Sequence, residues 1–132
     1  MIEEWIRWKP LDLILSSIDY CIYSSDYNNG NLSVIIAGKN NLQALQVTFE
    51  QSVITYRVFD EWYRMRLTDY LYEQNVRLKD KSWTFYTINN SLYLKSLAQS
   101  QESWRHYGFY TEERMMDVIA SKEPFVQEID LD

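Results

Sequence analysis

The sequence predicts an α+β domain: an antiparallel β-sheet of five to seven strands, opened by an N-terminal meander, packed with about two α-helices. Three observations carry that expectation. Apolar residues alternate with a period of two through the first half of the chain. The period turns helical near residue 63, and short runs rich in β-branched and aromatic residues return after residue 83. With 132 residues, 46% of them hydrophobic, the chain suits one domain, 1–132, with 1–10 and 125–132 at its periphery.

The first strands read clearly. Residues 18–23 and 32–37 are β-rich, and Asp26-Tyr27-Asn28-Asn29-Gly30-Asn31 between them supplies an Asn-Gly hairpin signal. Gly38-Lys39-Asn40-Asn41 makes the next turn. Leu45, Val47 and Phe49 then share one face of 42–49, and Glu50-Gln51-Ser52 leads into 53–59, where Ile54, Tyr56 and Val58 alternate with Thr55 and Arg57. Four strands in succession make the meander. From Asp60, a candidate N-cap, the spacing of Tyr63, Leu67, Tyr70 and Leu71 predicts the first helix. Residues 75–82 form a charged connection, and Trp83 to Ile88 a strand. Asn89-Asn90-Ser91 caps a second helix over about 91–102, marked by Leu94, Leu97 and Ala98. Trp104 to Tyr110 reads as a strand. Met116 to Ala120 suits a strand or a helical turn, and the tail from Phe125 pairs briefly or frays.

Charge and composition exclude several functions. Nineteen acidic against thirteen basic residues give a net charge of −6, which opposes nucleic-acid binding and docking on an anionic membrane. One cysteine, Cys21, allows no internal disulfide, and the start carries two acids without an apolar run, so the cytoplasm is the expected compartment. One His and one Cys cannot build a zinc site. Three glycines cannot form a phosphate-binding loop, so no cofactor is expected. No catalytic motif is present. A hydrolytic or ligand-binding site would have to use His106 with Asp117 or with Glu61, which lies near Arg57 in sequence.

Twenty-one aromatic rings exceed what one small core usually needs, and Tyr and Trp are favoured at binding surfaces. Tyr56 and Tyr86 are expected to face inward, and Tyr27, Tyr72, Tyr107 and Tyr110 to reach solvent. Tyr107, Tyr110, Glu112, Glu113 and Asp117 are therefore the candidate partner-binding residues: rings to anchor in a pocket, carboxylates to cover a basic groove.

Several short segments follow one another in a recognisable order: Tyr56-Arg57-Val58 with Asp60-Glu61, Phe85-Tyr86 leading to Asn90-Ser91-Leu92-Tyr93-Leu94, Gln99-Ser100, His106-Tyr107, Thr111, and Asp117-Val118-Ile119-Ala120 with Glu123-Pro124. Over about residues 32–124 the chain resembles a family of small, uncharacterised bacterial cytoplasmic proteins, similar in size and acidity to immunity proteins that neutralise secreted toxins. The resemblance implies a single-domain binder without cofactor, whose partner would be a basic toxin. The functional expectation is a non-enzymatic protein-binding domain. Its alternatives are a self-associating domain, a homodimer joined through a strand edge at 104–110, and the small-molecule or hydrolytic site on His106.

Overall fold

The computed structural model describes residues 3–40, 42–60 and 83–131. Among these residues nine strands run in order: β1 (Glu4–Arg7), β2 (Tyr20–Asn28), β3 (Asn31–Gly38), β4 (Ala44–Phe49), β5 (Val53–Asp60), β6 (Phe85–Asn89), β7 (Arg105–Tyr110), β8 (Arg114–Ala120) and β9 (Phe125–Ile129). They form two antiparallel sheets, one of five strands in the order β1-β6-β7-β8-β5 and one of four in the order β2-β3-β4-β9.

This corrects the expected α+β class with two helices. Among the described residues helix is limited to one turn, α1 (Leu92–Lys95), where 91–102 was expected. Ser91 caps α1 by accepting from the Leu94 N–H at 3.0 Å, as the capping signal predicts. Yet α1 buries none of its residues, and a helix without a buried face lacks the packing that sustains most helices. The helix expected from Asp60 through Leu71 falls, apart from its cap residue, outside the described residues, as does Tyr72.

The N-terminal meander holds for three strands and then breaks. At the β2–β3 turn Asn29 and Gly30 both take positive φ, 52° and 84°, so the two-residue loop matches the strand twist. Gln51, also at positive φ, donates its side-chain amide to the Asn29 carbonyl and ties the β4–β5 turn onto that hairpin. From there β5 leaves the sheet and pairs with β8, while the C-terminal β9 takes the place beside β4. Alternation with period two tells which face a residue occupies. It does not tell which strand lies alongside.

The sheets pack face to face. Leu32, Val34 and Ile36 of β3 and Leu45, Val47 and Phe49 of β4 form one inner surface, all with no exposure. Phe85, Tyr107 and Phe109 line the other. Phe49 meets Tyr107 and Phe109 at 5.5 and 6.4 Å between centroids, and Tyr20 meets Phe85 at 5.5 Å. Trp8 closes the same layer, 5.2 Å from Tyr107.

The five-stranded sheet is unusual in burying its outer face as well. Trp5 lies 5.0 Å from Tyr110 and 6.1 Å from Tyr86, and Tyr86 stacks on Tyr110 at 5.6 Å. Gly108 makes this second aromatic layer possible. A Cβ built there would come within 2.5 Å of the Tyr110 ring, so only glycine lets that ring lie back over its own strand. Much of the aromatic surplus thus becomes two buried ring layers on opposite faces of one sheet.

Candidate functional site

The partner-binding residues expected from sequence fall in three separate places. Tyr107 is buried in the inner layer, and Tyr110 in the outer one, so neither reaches solvent as anticipated. Asp117 is buried beneath the outer layer with 1% exposure. Only Glu112 and Glu113, in the β7–β8 turn, are exposed. Glu113 pairs with Lys39 of the β3–β4 turn at 2.7 Å, which raises the Lys39 ammonium and lowers the Glu113 carboxyl from their ordinary values. Glu112 and Asp19 also act on Lys39, so these acids gather at one end of the sandwich.

The structure does bring His106 and Asp117 together. On the outer face Asp117 sits opposite Gly108, one register step from His106, a diagonal that a ring can span. His106 Nε2 lies 2.7 Å from Asp117 Oδ1, and Nδ1 lies 2.6 Å from Ser91 Oγ. Tyr110 donates its hydroxyl to the same Oδ1 at 2.5 Å, and Arg57 Nε donates to Oδ2 at 2.8 Å. Behind Ser91, Glu3 accepts from the Leu92 N–H at 2.7 Å and from the Trp5 indole at 2.8 Å, fastening β1 to α1.

Hydrogen-bond arithmetic assigns the protons. Ser91 Oγ already accepts from Leu94, so its hydroxyl proton is free to go to His106 Nδ1. Nε2–H then donates to Asp117, so each polar member of the chain has a partner. Chemically this is a serine–histidine–aspartate proton path. Its members are buried, however, and each is committed to a partner. The arrangement locks β1, β7, β8, β5 and α1 to one another. Glu61, the other proposed companion of His106, lies outside the described residues. Among those residues no group of three His, Cys, Asp or Glu could hold a metal.

Burial by itself would raise the Asp117 carboxyl. The His106 hydrogen bond, the Arg57 charge and the Tyr110 hydroxyl outweigh it and hold the group below its ordinary 3.8. A carboxyl lowered in the folded state contributes stability that is present above its unfolded value and lost as pH falls through the folded one. The urea midpoint is therefore expected to drop below about pH 4, with a shallower acid slope for Asp117→Asn. Burial, then Asp117, push the Tyr110 phenol well above 10.0. Above that pH the unfolded chain ionises this ring before the folded one does, so stability falls again, less steeply in Tyr110→Phe.

Exposed aromatic surface occurs where sequence pointed only in part. Tyr27, expected to reach solvent, does so. Tyr56 stands opposite core residue Val118 and so points inward as expected, yet it is 37% exposed, because it lies at the open edge of the sandwich. Ile54 and Val58 flank it at 40% and 42%, and Tyr27 packs its ring 5.7 Å away across the mouth between the sheets. Bulges in β2 after Ile22 and in β5 after Val53 accompany this opening. Alternation placed these residues on the correct face. Which strands end up at an edge was not encoded in any local pattern.

Comparison with family models, curated proteins and solved structures finds no match to this chain. Fold and site define a two-sheet β domain with a saturated buried polar network and an apolar, aromatic mouth at one edge. None of the described helices is long and apolar enough to cross a membrane.

Proposed function

We propose that the chain is a non-enzymatic protein-binding domain that meets a basic partner through aromatic and acidic surface residues. The Tyr27–Tyr56 pair with Ile54 and Val58 carries this reading: four large apolar side chains stay 37–48% exposed on rigid strands. Clustered exposed rings are the usual anchors of an interface. The net charge of −6 and the exposed Glu112 and Glu113 favour a basic surface opposite, and opposite charge speeds encounter. Toxin neutralisation is the particular form of this function that the family resemblance suggests. The unpaired Cys21 accords with a reducing cytoplasm.

Affinity capture from the producing cell tests the proposal, with the wild-type chain and a Tyr27→Ser/Tyr56→Ser variant used side by side. The wild type is expected to retain a specific basic protein that dissociates as salt is raised. The variant, whose changes lie at exposed positions, is expected to bind it at least about tenfold more weakly. Equal retention by both chains would rule out the mouth as the binding surface. A captured partner indifferent to Glu112→Lys and Glu113→Lys would remove the acidic contribution.

A further inference from the structure

Within the five-stranded sheet β5 is a terminal strand, hydrogen-bonded to β8 along one side. Among the described residues no strand pairs with its other side, and Ile54, Tyr56, Arg57 and Val58 are all substantially exposed. An open edge offers a row of backbone N–H and C=O groups to any extended chain that approaches it. Side chains specify which chain. Tyr56 and Val58 point to the mouth between the sheets, while Arg57 points to the opposite face, above Asp117. On an added strand, the residue opposite Arg57 would share its face, and the residues on either side would turn toward Tyr56, Val58 and Tyr27.

We propose that β5 recruits an extended segment of the partner protein as a sixth strand of this sheet, with an acidic residue facing Arg57 and apolar residues flanking it. The proposal rests on the binding-domain reading above and specifies how the partner seats. Charge complementarity selects the acid, since Arg57 is the one charged side chain between residues 53 and 59. Its guanidinium is held before any ligand arrives: Nε is on Asp117, the Tyr93 ring lies 3.9 Å away and the Phe59 ring 5.5 Å. Yet 46% of the side chain is exposed. A donor fork already fixed in place loses little further entropy when a carboxylate docks. A second copy of the chain suits the position less well, because β5 brings no carboxylate of its own between 53 and 59. A partner that is basic overall meets the requirement with one acid at one register position.

The test uses the full chain, isotope-labelled for amide NMR, titrated with blocked peptides of the pattern Thr-Val-Thr-Val-X-Val-Thr-Val-Thr, where X is Glu, Ala or Lys. Shifts centred on β5 and β8 are expected, with the Glu peptide binding about threefold or more tighter than the Ala peptide. The Lys peptide should be weakest, although the net charge of the chain would favour it. Comparing peptides on the unaltered chain avoids any variant that disturbs Asp117. A Lys peptide that binds as well as the Glu peptide overturns the proposal. So do β5 shifts that grow with protein concentration alone and accompany a doubled mass, because the occupant is then a second copy. Loss of partner capture in the Tyr27/Tyr56 variant, with β5 unmoved by every peptide, overturns strand addition while leaving the binding-domain reading standing.

Discussion

Asp117→Ala is expected to lower the unfolding free energy by about 3–5 kcal/mol, the range for removing one partner of a buried charge network. Asp117 accepts from His106, Tyr110 and Arg57 at once. Without it the His106 Nε2–H and the Tyr110 hydroxyl remain buried with no acceptor, and each such orphan costs about 1–3 kcal/mol. Arg57 adds less, because its half-exposed side chain can turn to water. Tyr110→Phe removes one donor and leaves the carboxylate two others, so its loss should stay near 1 kcal/mol. Urea unfolding at pH 7 measures both. An Asp117→Ala loss no larger than that of Tyr110→Phe would mean that the network does not organise the outer face.

Phe109→Ala should cost a comparable amount, about 3–5 kcal/mol, through a cavity. Phe109 has no exposure and is one of the rings that join the two sheets: Phe85 lies 6.0 Å away, Trp8 6.1 Å and Phe49 6.4 Å. Truncation removes dispersion contacts on both sides of the sandwich, and the surrounding rings are too rigid to close the gap. Phe125→Ala is the matched control. It deletes the same side chain from β9, where the residue is 63% exposed, and should change stability by less than about 0.5 kcal/mol. Similar urea midpoints for the two variants would contradict the placement of the core. A domain of this size is typically stable by about 5–15 kcal/mol, so either large loss would be visible as a lowered melting temperature.

Residue pattern located most strands but not their neighbours. The Asn-Gly turn marks a real hairpin, and the β-rich run 32–37, the alternation in 42–49 and 53–59, and the aromatic run from Trp83 each mark a real strand. β1 was missed, since Glu-Trp-Ile-Arg is too short to show a period and pairs with β6 from far along the chain. The strand edge expected at 104–110 proves internal, with β6 on one side and β8 on the other. That removes the surface on which self-association was imagined.

The candidate site was legible in the same partial way. His106 and Asp117 were paired as a possibility, while Ser91 was read only as a cap and Arg57 only beside Glu61. The signal that joins them is the β7–β8 register, which sets Gly108 against Asp117 and leaves room for the Tyr110 ring. A close approach across strands cannot be read from spacing along one of them.

Twenty-one rings against three glycines was the plainest feature of the sequence, and it fixed a large aromatic payload that the fold had to place. Alternation put Leu45, Val47 and Phe49 on one face, where all three are buried, but it set Tyr86, which lies in the outer layer, inward. Tertiary structure decided the rest: that the sheet is two sheets, that one of them buries both faces, and that among the described rings Tyr23, Tyr27, Tyr56 and Phe125 stay in solvent while Tyr107 and Tyr110 do not. The physical reason is that burial depends on strand order. A residue's period selects its face, whereas its neighbours across the sheet, contributed by distant sequence, decide whether that face meets protein or water.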